Sequence, residues 1–350
     1  MKGVVFLGDR QLELREFPDP TPGARDVILE IKASGMCGSD LHNYRAPAQP
    51  AGAVTGGIRR VAGVIAGHEP CGIVAAVGAG VTEREARIGQ RVMNHHYDGC
   101  GTCKHCRAGW TQMCLEGPVV YGSSGHGGHA KYMKVPLATL VPLPDSLSFV
   151  TGAAISCGTG TAWGALKRIN LRGGETIAIF GQGPVGLSAT QLAVAMGARV
   201  IAIDIAPERR SLAREFGAHE VIDAGPDDMV AAIRGLTHGE GAHKTLDASS
   251  APEARAAAVR SVRSWGTACF VGERGQVTLD VSPDLLRRQV TLVGSWTFSK
   301  QGQAECAEFV ADRNVDVEKL FTHRWKLEQA EEAYKLFDTQ TTGKAVLLPS

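Results

Sequence analysis

The sequence has almost no excess of charge of either sign. Among its 350 residues, 37 are Lys or Arg and 36 are Asp or Glu, which gives a formal net charge of +1 with neutral His. Nucleic acids and anionic membrane surfaces attract proteins through an excess of positive charge, which this composition does not supply. We therefore expect neither nucleic acid nor a membrane as a partner.

The sequence predicts neither a secretory leader nor a membrane span. The apolar start, Met1–Phe6, meets the charged residues Asp9 and Arg10 too early for a secretory leader. The uncharged stretch Thr176–Ala198 contains several glycines and a proline near its start. This pattern favours a strand, a turn and a buried helix over a membrane span.

The cysteine content argues against a disulfide framework. There are nine cysteines, an odd number, and four of them are crowded between Cys100 and Cys114. Secreted disulfide-rich domains carry even sets, whereas crowded thiols in a reducing compartment indicate metal binding. We therefore expect a cytoplasmic protein in which metal holds these thiolates.

Two sequence patterns divide the chain. Before about Gly158, short apolar runs such as Val27–Ile31, Gly72–Val77 and Ala130–Val135 indicate the strands of an antiparallel, barrel-like domain. After Gly158, apolar strands alternate with helices, which is typical of a doubly wound parallel sheet. From about residue 298 this alternation stops, and we interpret the last segment as returning to the first domain.

The alternating region contains the elements of an α/β fold. The helices are expected at Pro184–Met196, Pro207–Phe216, Asp227–Leu236, Pro252–Ser264 and Pro283–Arg288. The strands are expected at Thr176–Phe180, Val200–Ile203, Val221–Ile222, Thr245–Ala248, Ala268–Val271 and Thr291–Val293. Most of these helices begin at or beside proline, a residue favoured in the first helical turn.

A glycine-rich motif lies between the first of these strands and the first helix. Its residues are Gly181, Gln182, Gly183, Pro184, Val185 and Gly186. The G-x-G-x-x-G pattern alone is a weak signal, but its position after a strand and at the start of a helix is the context of a dinucleotide site. The glycines permit a tight turn and close approach of a pyrophosphate to the helix N-terminus.

An acidic residue then indicates which dinucleotide binds. Asp204 ends the second predicted strand, about 20 residues after the glycines, where a carboxylate binds ribose hydroxyls and repels a 2′-phosphate. The sequence therefore predicts NAD over NADP. Arg209 and Arg210 follow on the next predicted helix, where we expect both on the exposed face. Arg209 is a further candidate cofactor contact, but neither arginine favours NADP while Asp204 is present.

Four cysteines form a compact metal motif. Cys100, Cys103, Cys106 and Cys114 have the spacing C-x2-C-x2-C-x7-C. Four thiolates fit a closed, structural zinc site. An iron–sulfur cluster is the alternative, although the ferredoxin pattern has a last gap of three residues followed by proline.

Several motifs together resemble a known family. Their order is Cys37 to His42 (Cys-Gly-Ser-Asp-Leu-His), Gly67-His68-Glu69, the cysteine quartet, Cys157 and the glycine-rich motif. Spacing alone would not join the dispersed residues, because a lone Cys or His is usually a packed residue. In this order they resemble the zinc-containing medium-chain alcohol and polyol dehydrogenases, over essentially the whole chain.

The resemblance implies a second, catalytic zinc ion. It assigns the ligands to Cys37, His68 and Cys157 and leaves a fourth position for water or substrate. Glu69 is then expected just behind the metal, where it exchanges with water as a ligand. Asp40 is expected to orient His68.

The resemblance also implies roles around the substrate and the cofactor. Ser39 and His42 are expected to relay a proton through the nicotinamide ribose. The remaining candidate cofactor residues are Thr161, Gly272 and Ser295 near the nicotinamide and Lys344 near the pyrophosphate.

The fold implied by the resemblance has two domains. We expect a GroES-like, mainly β catalytic domain at residues 1–158 and 298–350, a Rossmann domain at 159–297, and an active site in the cleft between them. We also expect a homotetramer in which each chain carries two zinc ions and NAD. The expected reaction converts a small secondary alcohol or polyol into its ketone.

Other functions stay open. Polyol dehydrogenases often carry a carboxylate at the position of Cys157, so an ethanol-type primary alcohol dehydrogenase is an alternative. A zinc-free reductase of the same superfamily would lack the metal residues, and a non-catalytic NAD-binding regulator would turn over no alcohol. The long segment between Cys37 and His68 contains Arg59 and Arg60, for which a solvated loop is favoured over contact with a sugar acid.

Overall fold

The computed structural model describes residues 1–47, 54–55, 58–59, 61–225, 228–340 and 343–349. The chain forms two compact units. The first comprises Met1–Cys157, Ser299–Asp312 and Glu318–Ser350, and the second comprises Gly158–Phe298 and Arg313–Val317.

Strands and helices are numbered along the chain. The strands are β1 Lys2–Gly8, β2 Gln11–Glu16, β3 Asp26–Gly35, β4 Val54–Thr55, β5 Ile58–Arg59, β6 Glu69–Val77, β7 Arg91–Asn94, β8 Tyr97–Asp98, β9 Val119–Val120, β10 Tyr132–Pro136, β11 Leu140–Pro142, β12 Thr176–Phe180, β13 Arg199–Asp204, β14 Glu220–Asp223, β15 Ala242–Asp247, β16 Val262–Phe270, β17 Thr291–Gly294, β18 Phe321–Lys326 and β19 Lys344–Leu348. The α-helices are α1 Gly38–Arg45, α2 Lys104–Arg107, α3 Phe149–Ile155, α4 Gly158–Arg168, α5 Pro184–Ala195, α6 Pro207–Glu215, α7 Met229–Gly235, α8 Pro252–Ser261, α9 Lys300–Asp312 and α10 Ala330–Asp338.

The first unit is built on a mainly antiparallel sheet. Its strand order is β11-β7-β6-β3-β19-β18, and β10 also pairs with β3. Val27, Leu29 and Ile31 alternate along β3 and are fully buried, because successive side chains of a strand point to opposite faces of the sheet. The predicted barrel-like strand domain is confirmed, and β3 lies at its centre.

The second unit is built on a parallel sheet. Its strand order is β14-β13-β12-β15-β16-β17, with every adjacent pair parallel. All five residues of β12 are buried, which is typical of parallel strands covered by helices on both faces. The prediction of a doubly wound parallel sheet is confirmed, and β12 has the predicted bounds.

One predicted helix does not form as expected. At Pro283–Arg288 the structure has a π-helical turn, Val281–Leu285, followed by a short 3-10 turn. The Asp284 carboxylate accepts a hydrogen bond from the Asp280 N–H at 2.8 Å and pairs with Arg260 at 3.1 Å. These contacts accompany a wider π turn followed by a tighter 3-10 turn in place of a regular α-helix.

Another predicted helix is shorter than expected. The helix predicted to extend to Ser264 ends at Ser261, because Val262 already pairs with Ala242 in the sheet. Within the described residues, no helix combines the length and apolar character needed to cross a bilayer.

A buried imidazole ties together three parts of the first unit. His129 Nδ1 lies 2.7 Å from Ser34 Oγ on β3, and its Nε2 lies 2.7 Å from the Tyr334 hydroxyl on α10. The ring also packs on Gly67, where a Cβ atom would come within 2.3 Å of Nδ1. Burial lowers the pKa of His129 to about 4.

The depressed pKa of His129 predicts a pH-dependent stability. In the unfolded chain His129 is protonated near pH 6.5, whereas in the folded chain it is protonated only near pH 4. The folded state is therefore fully stabilised above about pH 6.5 and loses stability as the pH falls below this value. Protonation of His129 should lower the unfolding free energy of the parent protein by about 2 kcal/mol between pH 7.5 and pH 5. His129→Asn should lack this part of the decrease. Urea denaturation at both pH values measures this difference. His238→Asn, which removes an exposed imidazole, is the control, and equal pH slopes for His129→Asn and the parent would contradict the assignment.

Candidate active site

Strand pairing brings the first candidate ligands together. In the antiparallel pair of β3 and β6, Gly35 lies opposite Glu69. Cys37 follows the end of β3 and His68 precedes the start of β6, so both lie at the same edge of the sheet. A Cβ atom at position 35 would come within 2.0 Å of Glu69 Oε2, so glycine leaves room for this carboxylate.

Asp40 connects the start of α1 to His68. Its Oδ2 accepts a hydrogen bond from the Cys37 N–H at 2.9 Å, and its Oδ1 lies 2.9 Å from His68 Nδ1. Because the carboxylate accepts this bond, Nδ1 carries the proton and Nε2 is left to bind a metal. The Ser39 hydroxyl lies 3.3 Å from this Nε2, and His42 follows one turn later on the same helix face.

The four candidate donors form one cluster. The ligand atoms of Cys37, His68, Glu69 and Cys157 all lie within 4.8 Å of one another. The two sulfurs are 3.9 Å apart, close to the about 3.8 Å that two thiolates span on a tetrahedral zinc ion with Zn–S bonds of about 2.3 Å. The donor set therefore fits zinc.

Lys344, which we expected near the pyrophosphate, pairs with Glu69 in the structure. Its ammonium group lies 2.5 Å from Glu69 Oε2 and donates to the Met36 carbonyl at 3.1 Å. Both Lys344 and Glu69 are buried, so the charge of Lys344 is compensated inside the metal cluster. Among the described residues, Glu69 Oε1 has no hydrogen-bond partner, which fits a carboxylate standing behind a metal ion.

Burial and neighbouring charges change the acidity of this cluster. Burial raises the pKa of Glu69 to about 7 against the attraction of Lys344. The hydrogen bond from Cys157 holds the pKa of Cys37 well below its usual value, with further help from His68. Burial alone would lower the pKa of His68, but Asp40 and Cys37 raise it well above its usual value. A metal ion must therefore displace a proton from His68 before the imidazole can bind it.

The cysteine quartet forms a second cluster. The sulfurs of Cys100, Cys103, Cys106 and Cys114 lie within 4.8 Å of one another. The backbone N–H groups of Cys103 and Cys100 point to the sulfurs of Cys100 and Cys114, at 3.4 and 3.3 Å. Such hydrogen bonds stabilise thiolates. Four thiolates fit the closed zinc site expected from the spacing.

His95 and His96 lie close to the first cluster. Both rings are buried, and the ring of His96 lies 5.1 Å from that of His68. His96 Nδ1 donates to the Ser156 carbonyl at 2.9 Å, beside Cys157. Sequence reasoning missed this contact because no motif spacing links these residues.

The glycine-rich turn has the geometry of a phosphate cradle. Gly181 has a positive φ of 85°, and a Cβ atom on Gly186 would come within 1.8 Å of the Gly181 carbonyl oxygen. Gly183 is the N-cap of α5, and apart from its neighbours in the chain no atom of the described residues lies within 4 Å of where its Cβ would be. The open space at a helix N-terminus fits a pyrophosphate, with Pro184 and Val185 forming the first helical turn.

Asp204 lies beside this turn at the end of β13. Its carboxylate accepts hydrogen bonds from the N–H groups of Gln182 and Ala206, at 2.6 and 2.8 Å. Arg209 lies 3.8 Å from the same carboxylate. Arg210 is less exposed than we expected, because it donates to the Asp204 carbonyl at 2.9 Å and pairs with Asp223 at 2.8 Å. Asp204 therefore fixes the conformation of the glycine-rich turn and of the start of α6.

The other predicted cofactor residues lie in the same unit. Thr161 is half-buried on α4. Gly272 follows β16 and donates to the Asp247 carbonyl at 3.1 Å, while Ser295 follows β17 and donates to the Phe270 carbonyl at 3.0 Å. Arg60 and the side chain of Arg59 lie outside the described residues.

Two family models and several known proteins match this chain. The zinc-binding dehydrogenase family model matches residues 184–313, and the alcohol dehydrogenase GroES-like domain model matches residues 23–145. An uncharacterized zinc-type alcohol dehydrogenase-like protein of Escherichia coli is 39% identical over 99% of this chain and 98% of its own length. Sorbitol dehydrogenase of Bacillus subtilis is 30% identical over 95% and 92%.

A solved structure is similar over the full length. The chain matches an NAD-dependent alcohol dehydrogenase with a TM-score of 0.86 and 27% identity, and the match covers 100% of both chains. The two matched domains account for most of the sequence. The GroES-like match contains every metal motif except Cys157, and the zinc-binding dehydrogenase match begins within the glycine-rich motif, at Pro184. The chain therefore belongs to the zinc-dependent, NAD(H)-linked alcohol dehydrogenase family of medium-chain oxidoreductases.

Proposed function

We propose that this enzyme oxidises a small secondary alcohol or polyol to the ketone with NAD. In this reaction the carbinol carbon gives a hydride to the nicotinamide, the hydroxyl gives a proton to solvent, and the carbon–oxygen double bond forms. The observation that carries the proposal is the cluster of Cys37, His68, Glu69 and Cys157, whose donor atoms lie within 4.8 Å of one another. This set combines two thiolates, an imidazole and a nearby carboxylate, which is a donor set for catalytic zinc.

Zinc, NAD and the residues of the chain have separate tasks in this reaction. Zinc supplies a Lewis acid that makes a hydroxyl more acidic, and NAD supplies the hydride acceptor. Cys37, His68 and Cys157 would hold the metal, and Asp40 fixes the His68 tautomer through the 2.9 Å contact at Nδ1. Ser39 and His42 carry the substrate proton toward solvent, a role supported by their positions one turn apart on α1.

Two observations support the substrate class. The motif at the start of α1, Cys37 to His42, resembles that of the polyol branch, and the relative named sorbitol dehydrogenase is 30% identical to this chain. Cys157 supports the alternative, a primary alcohol dehydrogenase of the ethanol type. We assign the catalytic role to residues 1–158 and 298–350 and NAD binding to residues 159–297. We also place the protein in the cytoplasm, where reducing conditions keep the metal-binding thiols out of disulfides.

The two cysteine clusters should respond differently to substitution. Cys37→Ser or Cys157→Ser should remove one of two zinc ions per chain and abolish alcohol turnover while the fold remains. Cys103→Ser should instead lower stability, because zinc held by four thiolates contributes directly to folding. Elemental analysis, circular dichroism and thermal unfolding measure these effects.

The matched control for this test is Cys306→Ala. Cys306 is buried outside both clusters, so its replacement should leave two zinc ions. Iron in the purified protein, or full activity without metal, would refute the metal assignment.

The proposed reaction predicts a defined substrate and cofactor preference. A screen of NAD and NADP reduction should compare primary alcohols, secondary alcohols, neutral polyols and hydroxy acids at equal concentration. We expect the highest kcat/KM with NAD and a secondary alcohol or polyol. Faster oxidation of ethanol-like alcohols than of every secondary alcohol would support the primary-alcohol alternative, and NAD binding without any turnover would support a regulator.

The cofactor arm of the screen uses Asp204→Ala. This change should weaken NAD binding and reduce the preference for NAD over NADP, because it removes hydrogen bonds to the ribose and the repulsion of a 2′-phosphate. Asp223→Ala is the control, since Asp223 ends the adjacent strand β14. An unaltered preference in Asp204→Ala would contradict the role of this carboxylate.

The edge of the parallel sheet supports one subunit contact of the expected homotetramer. β17 pairs with β16 on one side and is the last strand of its sheet. Leu292 on β17 is exposed, as are Val281 and Leu286 in the preceding segment. An exposed apolar edge strand is a template for pairing with another chain, and a second copy of β17 can pair with it across a two-fold axis.

The edge-strand assignment predicts the effect of a charge at this position. Leu292→Glu should shift the protein from four copies to lower-mass species, because it places a charge in the middle of the interface. Light scattering measures the mass, and Ile88→Glu, at an exposed apolar residue of the first unit, is the control. A parent protein that is a 37.0 kDa monomer would contradict the assembly.

A further inference from the structure

One face of α9 is buried, and it includes a glutamine. The buried residues of this helix are Gln303, Cys306, Ala307 and Val310, a spacing of three and four residues that places them on the same face. Gln303 is fully buried, and an amide group in such a place is costly unless both of its ends are hydrogen-bonded. The partners of Gln303 therefore indicate why a glutamine stands there.

Gln303 connects His95 to Ser156. Its Oε1 lies 3.1 Å from His95 Nδ1, and its Nε2 donates to the Ser156 hydroxyl oxygen at 3.4 Å. Burial lowers the pKa of His95 to about 4, so the ring is neutral at neutral pH. Because an amide oxygen can only accept, Nδ1 of His95 is the donor. Both ends of the amide are thus paired with groups that are themselves buried.

Ser156 extends this connection to two chain segments that carry metal ligands. It directly precedes Cys157, and its hydroxyl donates to the Gly152 carbonyl at 2.9 Å and to the Pro70 carbonyl at 3.2 Å. A bond to Gly152 alone is an ordinary contact at a helix end. Pro70, however, follows Glu69 in β6, so the same hydroxyl joins the segment of Cys157 to the segment of Glu69.

Cys157 depends on such contacts because it lies in a short turn between two helices. α3 ends at Ile155, and α4 begins at Gly158. The Ser156 carbonyl accepts a hydrogen bond from His96 Nδ1 at 2.9 Å. The residue before Cys157 is therefore held both at its side chain and at its backbone.

The start of α9 is fixed as well. The Lys300 N–H donates to the Gly109 carbonyl at 2.9 Å, and the Lys300 ammonium group donates to the Ala138 carbonyl at 2.8 Å. Gly109 lies within the segment of the cysteine quartet. The first turn of α9, which carries Gln303, is therefore anchored and can hold Ser156 in a defined position.

We propose that Gln303 is a positioning residue of the metal site in which Cys157 is a ligand, an inference that rests on the proposed zinc-dependent function. Through the Ser156 hydroxyl, Gln303 fixes the segment of Cys157 relative to the segment of Glu69. The ligand geometry and the rate at which zinc leaves the site then depend on a residue that acts through Ser156.

The experiment measures zinc release and ligand geometry in addition to turnover. Gln303→Met keeps the length of the side chain and removes both hydrogen bonds, whereas Ser156→Ala removes only the hydroxyl. Each variant should lose one of two zinc ions per chain to a chelator about 10- to 100-fold faster than the parent, a range typical of residues that orient metal ligands. In the cobalt-substituted protein, the absorption bands of the thiolate-bound ion should shift, because they depend on the ligand geometry.

A double variant and a control separate positioning from a loss of stability. Because Gln303 acts through Ser156, combining Gln303→Met with Ser156→Ala should release zinc no faster than the faster single variant. Val310→Ala leaves a small cavity in the same buried face of α9. This control should lower the melting temperature but keep the zinc release rate and the cobalt spectrum of the parent. Ser156→Ala is the smaller change, and it carries the test if Gln303→Met does not fold.

The outcomes separate this inference from the proposed function. If the parent protein carries fewer than two zinc ions per chain or oxidises no alcohol with NAD, the proposed function fails. If the parent carries both ions and is active, but Gln303→Met and Ser156→Ala release zinc at the parent rate, only the positioning by Gln303 is wrong. Equally fast release from Val310→Ala, or additive effects in the double variant, would also overturn the inference.

Discussion

The register between β3 and β6 is the constraint on which the metal cluster depends. Because Gly35 lies opposite Glu69, Cys37 and His68 meet although they are far apart in sequence. A slip of one residue would turn every side chain of a strand to the other face, and the donors would separate. β19 adds to the same arrangement, since Val346 pairs with Gly35 and Lys344 at the start of β19 reaches Glu69.

This register also balances the buried charges. Asp40 pairs with His68 at 2.9 Å and Glu69 pairs with Lys344 at 2.5 Å, so each buried carboxylate has a cationic or proton-donating partner. Removing one partner of a buried pair is strongly destabilising, because the other charge is left uncompensated. A divalent ion held by two thiolates adds no net charge to this balance. The site can therefore bind zinc without a further counter-ion.

Local patterns predicted the cysteine quartet, the glycine-rich turn and the parallel sheet, because each depends on residue type and short spacing. The dispersed ligands Cys37, His68 and Cys157 followed only from the resemblance to a known family. Contacts between distant segments were not predictable in this way. Lys344 bonds to Met36, which lies 308 residues away in the chain, and no motif links them. The position of His96 against His68 depends in the same way on how loops meet. The segment Pro283–Arg288 has an apolar pattern that favours a helix, but the Asp284–Arg260 pair, formed across 24 residues, decided its geometry.

The same distinction explains why the substrate is harder to predict than the reaction. Residues that bind zinc or pyrophosphate must satisfy strict geometric demands, so they form recognisable motifs. The loops after β15 and β16 carry no such motif, and they are held to each other by the contacts of Arg255 with Asp247 and with the Gly272 carbonyl. Because this support does not involve the exposed side chains of the loops, those side chains can change without disturbing the sheet. Loop residues of this kind therefore follow no fixed spacing that a sequence pattern could detect.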